Sequence, residues 1–262
     1  MSAYAVKRND GQWLPNNEAG NLHLIAGNTM RAFPYSNFGH NNTGRMLELP
    51  KPTPQADELL IKAEAYSLVA DSPNSLGVAG TITSAGNQAG GFNKGDKVFG
   101  VIESDVCAEY AIIKAECAAL MPVNTLFEHA AALSIPLAVA HHLLSDIGRL
   151  RWGQRLLIRN AAGGTAQVVM QVAKSVGAHV TVTTQPNHKL MLAALGADIV
   201  LDEYNNGNYG LEAIADMVID FNGIGCLQEV FFPKLHVRLS PEQITNITID
   251  CNRKLQFGKM LV

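Results

Sequence analysis

The sequence predicts an α/β fold, with a β-rich part followed by a doubly wound parallel sheet. Three observations carry this. Between Met30 and Leu120, short β-like runs, "ELLIKAEAYSL", "GTITSAG", "DKVFGVI" and "AEYAIIK", are separated by Gly, Asn and Pro turns. From Phe127 onward, short apolar runs alternate with helical patterns, which is the signature of βαβ units. Small residues, "NAAGGTA" at 160–166, fill the turn between one such strand and the helix after it.

Taken in chain order, residues 1–29 are rich in Asn and Gly with little periodicity, so they read as an extension or loose arm, with Trp13 and "LHLIA" available to dock on the body. Residues 30–126 form the β-rich domain. Residues 127–239 form the doubly wound domain: a helix over "EHAAALSIPLAVAHHLLSDIG", strand "RLLIR", helix "TAQVVMQVAKSVG", strand "HVTVTT", helix "KLMLAALG", strand "DIVLD" and then "DMVID". Residues 240–262 read as a helix, with Ser240 as N-cap and Pro241 at its first position, and then a short strand.

Composition narrows the function classes. With 47% hydrophobic and 16% charged residues the chain is too apolar for a disordered segment and too poor in charge for a nucleic-acid binder. A net charge of -3 gives no electrostatic reason to expect nucleic acid or an anionic membrane. Cys107, Cys117, Cys226 and Cys251 are far apart and form no CxxC pair, which fits reduced thiols in a cytoplasm. No window approaches the roughly 18 consecutive apolar residues of a membrane helix, and the first residues lack a signal-peptide core.

The glycine-containing turn carries the chemistry. A nucleotide pyrophosphate needs backbone N–H groups aimed from a helix start and side chains small enough for close approach. Asn160, Ala161, Ala162, Gly163, Gly164, Thr165 and Ala166 supply small residues in that context, although the spacing departs from G-x-G-x-x-G and Asn160 stands where a glycine is usual. The loop alone leaves two readings open, a phosphate cradle or a tight strand-to-helix turn. The end of the next strand bears on the choice, because an acidic residue there would hold a free ribose 2′-OH. Here Thr183 and Thr184 lead through "QPNH" to Lys189 with no carboxylate, which suits a 2′-phosphate and hence NADP(H); Lys189 also reads as a solvated helix-start lysine.

The order of these blocks resembles the medium-chain dehydrogenase/reductase superfamily, specifically its zinc-free quinone oxidoreductase (zeta-crystallin-like) branch. The matching words are "MRAFPY" at 30, "ELPKPTPQADELLIKAEAYSL" at 48, "GFNKGDKVFG" at 91, "AEYAIIKAECAALMP" at 108, "AAALSIPLA" at 130, "AAGGTAQVVMQVAKSVGA" at 161, "LGADIVLD" at 195 and "GKMLV" at 258. The resemblance implies a GroES-like domain at 30–126 to which 240–262 returns, and a shortened Rossmann domain at 127–239. It also implies NADPH in the cleft between them, reduction of a quinone, enone or related carbonyl, and often a dimer. No metal is expected, since "SLGVAG" at 75–80 lacks the His and Glu of zinc-dependent members. His141 and His142 read as ordinary helix residues.

Departures from the family concentrate at the nicotinamide end. The asparagine of the family's "SLNPxD" becomes Val69, followed by Asp71 at the substrate pocket. A cofactor-contacting threonine in the helix after "AAL" becomes Val139. Two segments are shortened, at 71–76 and after 223. No catalytic side chain is assigned. Asp71 and Asp96 both read as turn formers. Two functional expectations follow: an NADPH-dependent quinone or enone reductase, or a divergent relative that binds a nucleotide or a partner protein without turnover.

Overall fold

The computed structural model describes residues 28–34, 46–68, 75–104, 106–203, 215–221 and 259–261, so Val69, Asp71, most of the first 29 residues and the helix expected near 240 lie outside the described residues. The β-rich part contains β1 (Thr29–Pro34), β2 (Leu47–Pro50), β3 (Glu58–Leu68), β4 (Ser75–Ala85), β5 (Lys97–Glu103), β6 (Val106–Ala108), β7 (Tyr110–Lys114) and β8 (Ala118–Leu120). Strands β2, β1 and β6 form a small antiparallel sheet. A larger antiparallel sheet runs β3, β4, β5, β8.

The free edge of β3 is shared by two strands. Its first half, Glu58–Lys62, pairs with β7, and further along Ala65–Ser67 pairs with β13 (Lys259–Leu261). The last of the described strands thus returns to the larger antiparallel sheet.

Alternation explains which faces are buried. Leu59, Ile61, Leu76, Val78, Ile82 and Ile113 point into one core of this part. Ala65, Ala79, Phe99 and Val101 point the other way, into a second core that continues under the following helices. Helix α1 (Phe127–His141) lies on β3, β4 and β5 and also against α2 (Gly164–Ser175), which makes it the joint between the two parts. Gly77 is required at this joint: a Cβ there would collide with the carbonyl oxygen of Ala131 and crowd Ser67 and Ser134, each 3.2 Å away. Only a glycine lets the helix backbone sit this close. At the opposite end of the same sheet Asp96 forms a turn, its carboxylate accepting the Asn93 N–H at 2.7 Å.

The sequence predicts one helix over 128–148. The structure ends the α-helix at His141 and continues as a π-helical turn, His142–Ile147, closed by the Gly148 N–H donating to Leu143 O at 2.9 Å. The buried Pro136 inside α1 lacks an N–H and interrupts the ladder six residues before the π-helical turn begins. The stretch Phe127–Ile147 is long and apolar enough to cross a membrane by length and composition, but 67% of its most apolar window is buried in the protein.

Behind α1 comes the parallel sheet: β9 (Arg155–Arg159), β10 (His179–Thr184), β11 (Ile199–Asp202) and β12 (Met217–Asp220), with α2 and α3 (Lys189–Ala194) between them. Its order is β11, β10, β9, β12, all parallel. The chain winds outward from β9 through β10 to β11 and then crosses back to β12 on the other side of β9. That reversal is the topological switch point of a doubly wound sheet, and ligands bind such sheets at the carboxyl ends of the strands beside it.

Candidate functional site

The turn after β9 opens at the switch point. Asn160 adopts a left-handed conformation, φ 52°. Asparagine tolerates that region better than other non-glycine residues, which explains how it stands where a glycine is usual. Two hydrogen bonds tie the turn to the end of β10. The Asn160 N–H donates to Thr183 Oγ1 at 3.3 Å and the Ala161 N–H donates to Thr183 O at 3.0 Å. The buried Gln167 holds the next carbonyl, its Nε2 donating to Ala162 O at 2.9 Å.

These latches divide the seven loop residues. Asn160 and Ala161 are scaffold, their N–H groups being taken up by Thr183, and Ala161 is fully buried. Gly163 is exposed, with extended backbone (φ -73°, ψ 150°), and starts α2 without any side-chain cap. A Cβ on Gly163 would meet nothing within 4 Å. The N–H groups of Gly164, Thr165 and Ala166 belong to the first helical turn and have no partner within the helix. An open approach over Gly163 to an uncapped 12-residue helix is what an anionic diphosphate requires, so these residues fit a nucleotide pyrophosphate.

The other candidates fall into place around it. Thr183 is 4% exposed and serves as the latch just described. Thr184 is fully buried, and its Oγ1 has no hydrogen-bond partner among the described residues. Val139 is 1% exposed, inside the core that α1 shares with the parallel sheet.

Lys189 begins α3, and its Nζ lies 3.4 Å from Asp202 Oδ2. This amends the expectation that no carboxylate stands at the end of the second strand. Within the stretch 183–189 there is none, but parallel pairing sets Asp202 of β11 beside Thr184 of β10. The Glu203 N–H then donates to Thr184 O at 3.0 Å, which fixes the start of the following turn to the same strand end. Across the switch point, Asp220 of β12 pairs with Arg159, and the Phe221 N–H donates to Arg159 O at 3.2 Å. Gln167, Asp202 and Asp220 were not singled out by the sequence, because only strand register and helix position bring them to the turn.

A cavity of about 300 Å³ lies at the opposite end of the parallel sheet, lined by Arg155, Leu157, His179, Thr181, Asp198 and Ile199. It sits at the amino ends of the strands, away from the turn. Two ion pairs brace that end. Arg155 pairs with Asp216 at 2.9 Å and holds its carboxyl down at about 2, chiefly by side-chain hydrogen bonding; Lys174 pairs with Asp198 at 2.7 Å. Among the described residues no group of three His, Cys, Asp or Glu side chains could hold a metal ion.

Reductases and quinone oxidoreductase homologs are among the known proteins this chain resembles. No protein-family model matches the chain. The chain is similar to a 2-methylene-furan-3-one reductase from Solanum lycopersicum, 30% identical over 225 residues, covering 75% of this chain and 58% of that protein. It is also similar to a chloroplastic quinone-oxidoreductase homolog from Spinacia oleracea, 31% identical over 205 residues, covering 68% of this chain and 62% of that one. A mycobacterial protein solved in complex with NADPH superposes with a TM-score of 0.53 at 28% identity, over 68% of this chain and 58% of its own. The chain thus spans about three fifths of the length of these two curated relatives.

Proposed function

The chain belongs to the medium-chain dehydrogenase/reductase superfamily, in its zinc-free, quinone oxidoreductase-like branch, and on that premise we propose that it is an NADPH-dependent oxidoreductase reducing a quinone, enone or related carbonyl. The observation that carries the reading is the turn at the switch point, with Gly163 open to solvent and the first turn of α2 uncapped. NADPH, when bound, supplies the hydride. The work of the described residues is binding and orientation. The N–H groups of Gly164, Thr165 and Ala166 receive the pyrophosphate. Thr183 and Gln167 hold the turn rigid from behind, so that it needs no ordering when the ligand arrives. The apolar joint of α1, with Val139 inside it, keeps water from the region between the larger antiparallel sheet and the parallel sheet.

A cytoplasmic location and a homodimer belong to the same proposal. The scattered cysteines support the first and the family resemblance supports the second.

Titration of the full chain with NADPH and NADH, read by nicotinamide fluorescence, followed by an NADPH-oxidation assay with a simple quinone and an enone, tests the reading. Saturable NADPH binding and substrate-dependent oxidation are expected. Tight binding with no turnover across a carbonyl panel would overturn the reductase activity in favour of a nucleotide-binding relative. Binding of neither nucleotide would overturn both.

A further inference from the structure

We propose that Asp202 is a specificity determinant at the 2′-position of the adenosine ribose. Through its hold on Lys189 it narrows the preference for a 2′-phosphate, so that NADH is accepted alongside NADPH. The inference rests on the nucleotide-binding reading above and concerns only its adenine end.

In a doubly wound sheet the ribose of the adenosine lies at the carboxyl end of the second strand, here Thr184 of β10. The cation of that place, Lys189, is half-exposed and 3.4 Å from the carboxylate of Asp202. Strand register fixes the pairing: Asp202 stands directly opposite Thr184, and the Glu203 N–H bond to Thr184 O pins the chain just beyond it. Asp202 is thus built into the strand end rather than carried on a loop. A dianionic phosphate arriving here must share one ammonium with a carboxylate already beside it, and like charges at such spacing oppose each other. A ribose hydroxyl carries no charge and meets no such opposition. The sequence order "TTQPNHK" points to a 2′-phosphate, whereas the neighbouring strand supplies the counter-charge that tempers it.

The test isolates this end of the ligand. Calorimetric titration of the full chain with 2′,5′-ADP and with 5′-ADP at low salt would be run on the unaltered protein, on Asp202→Asn and on Asp202→Asn/Lys189→Met. Asp202→Ser serves as a second single variant, and thermal melts check that each is folded. Both single variants should bind 2′,5′-ADP about tenfold more tightly, with 5′-ADP unchanged within about twofold. The double variant should lose the gain, since the liberated ammonium is its source. Equal tightening of both nucleotides, no tightening of 2′,5′-ADP, or failure of every form to bind either nucleotide would overturn the proposal. A protein that binds 2′,5′-ADP as described but never oxidises NADPH would overturn the reductase reading and leave this one standing.

Discussion

Replacing Gly163 with valine separates a working cradle from a mere turn. The free protein has room for the change. The glycine sits at φ -73°, ψ 150°, which valine adopts readily, and a Cβ there meets no atom within 4 Å. The fold therefore bears only the cost of exchanging glycine for a poor capping residue at the start of α2, about 0.5–1 kcal/mol. That lowers the melting temperature by a few degrees at most. The bound state has no such room, because the isopropyl group would occupy the space through which the phosphates reach the N–H groups of Gly164 and Thr165. Losing one charge-assisted hydrogen bond costs about 1.5–3 kcal/mol, a rise in Kd of roughly 10- to 100-fold. Nicotinamide fluorescence titration reads the affinity and a thermal melt reads the fold. An NADPH Kd unchanged by Gly163→Val in a folded protein would refute the cradle and return residues 160–166 to a purely structural role.

Two further outcomes are expected. Thr184→Val replaces a fully buried hydroxyl that has no hydrogen-bond partner among the described residues with a methyl of the same shape. It should stabilise the chain by about 1 kcal/mol, read by urea denaturation, with nucleotide affinity unchanged; a loss of affinity would place the hydroxyl on the ligand. Asp216 is held at about 2 by Arg155, below its unfolded value, so its contribution is fully present above the unfolded value and fades as pH falls through the folded one. The melting-temperature gap between the unaltered protein and Asp216→Asn should therefore be constant from neutral pH to about 5, and close progressively towards pH 2.

The elements most legible in the sequence were those whose burial follows a simple period. "ELLIKAEAYSL", "RLLIR" and "HVTVTT" are β3, β9 and β10 residue for residue, because turn residues bound each run and its apolar positions meet a packed face. The end of α1 was not legible. Apolar Leu143, Leu144 and Ile147 continue the helical texture while the hydrogen bonding shifts to the π pattern, and composition carries no mark of that shift.

At the candidate site, the chemistry of "NAAGGTA" could be read, but its division of labour could not. Whether an N–H faces solvent or Thr183 depends on how β10 lies beside β9, which is a tertiary fact. The same holds for Asp202: a search for an acid along 183–189 looks down one strand, whereas the carboxylate comes across from the next.

The pairing of β13 with the edge of the larger antiparallel sheet sets an order of events during synthesis. Met260 pairs with Tyr66, so part of the edge of β3 waits for a partner made about 190 residues later. The described strands of the parallel sheet all lie between 155 and 220, and they can pair while that edge is still bare. An unpaired strand edge is a template for wrong pairing, with another nascent copy as readily as with the correct segment. Slowing or tethering residues 259–261 should therefore show itself as aggregation through the β-rich part, while the parallel-sheet part emerges already formed.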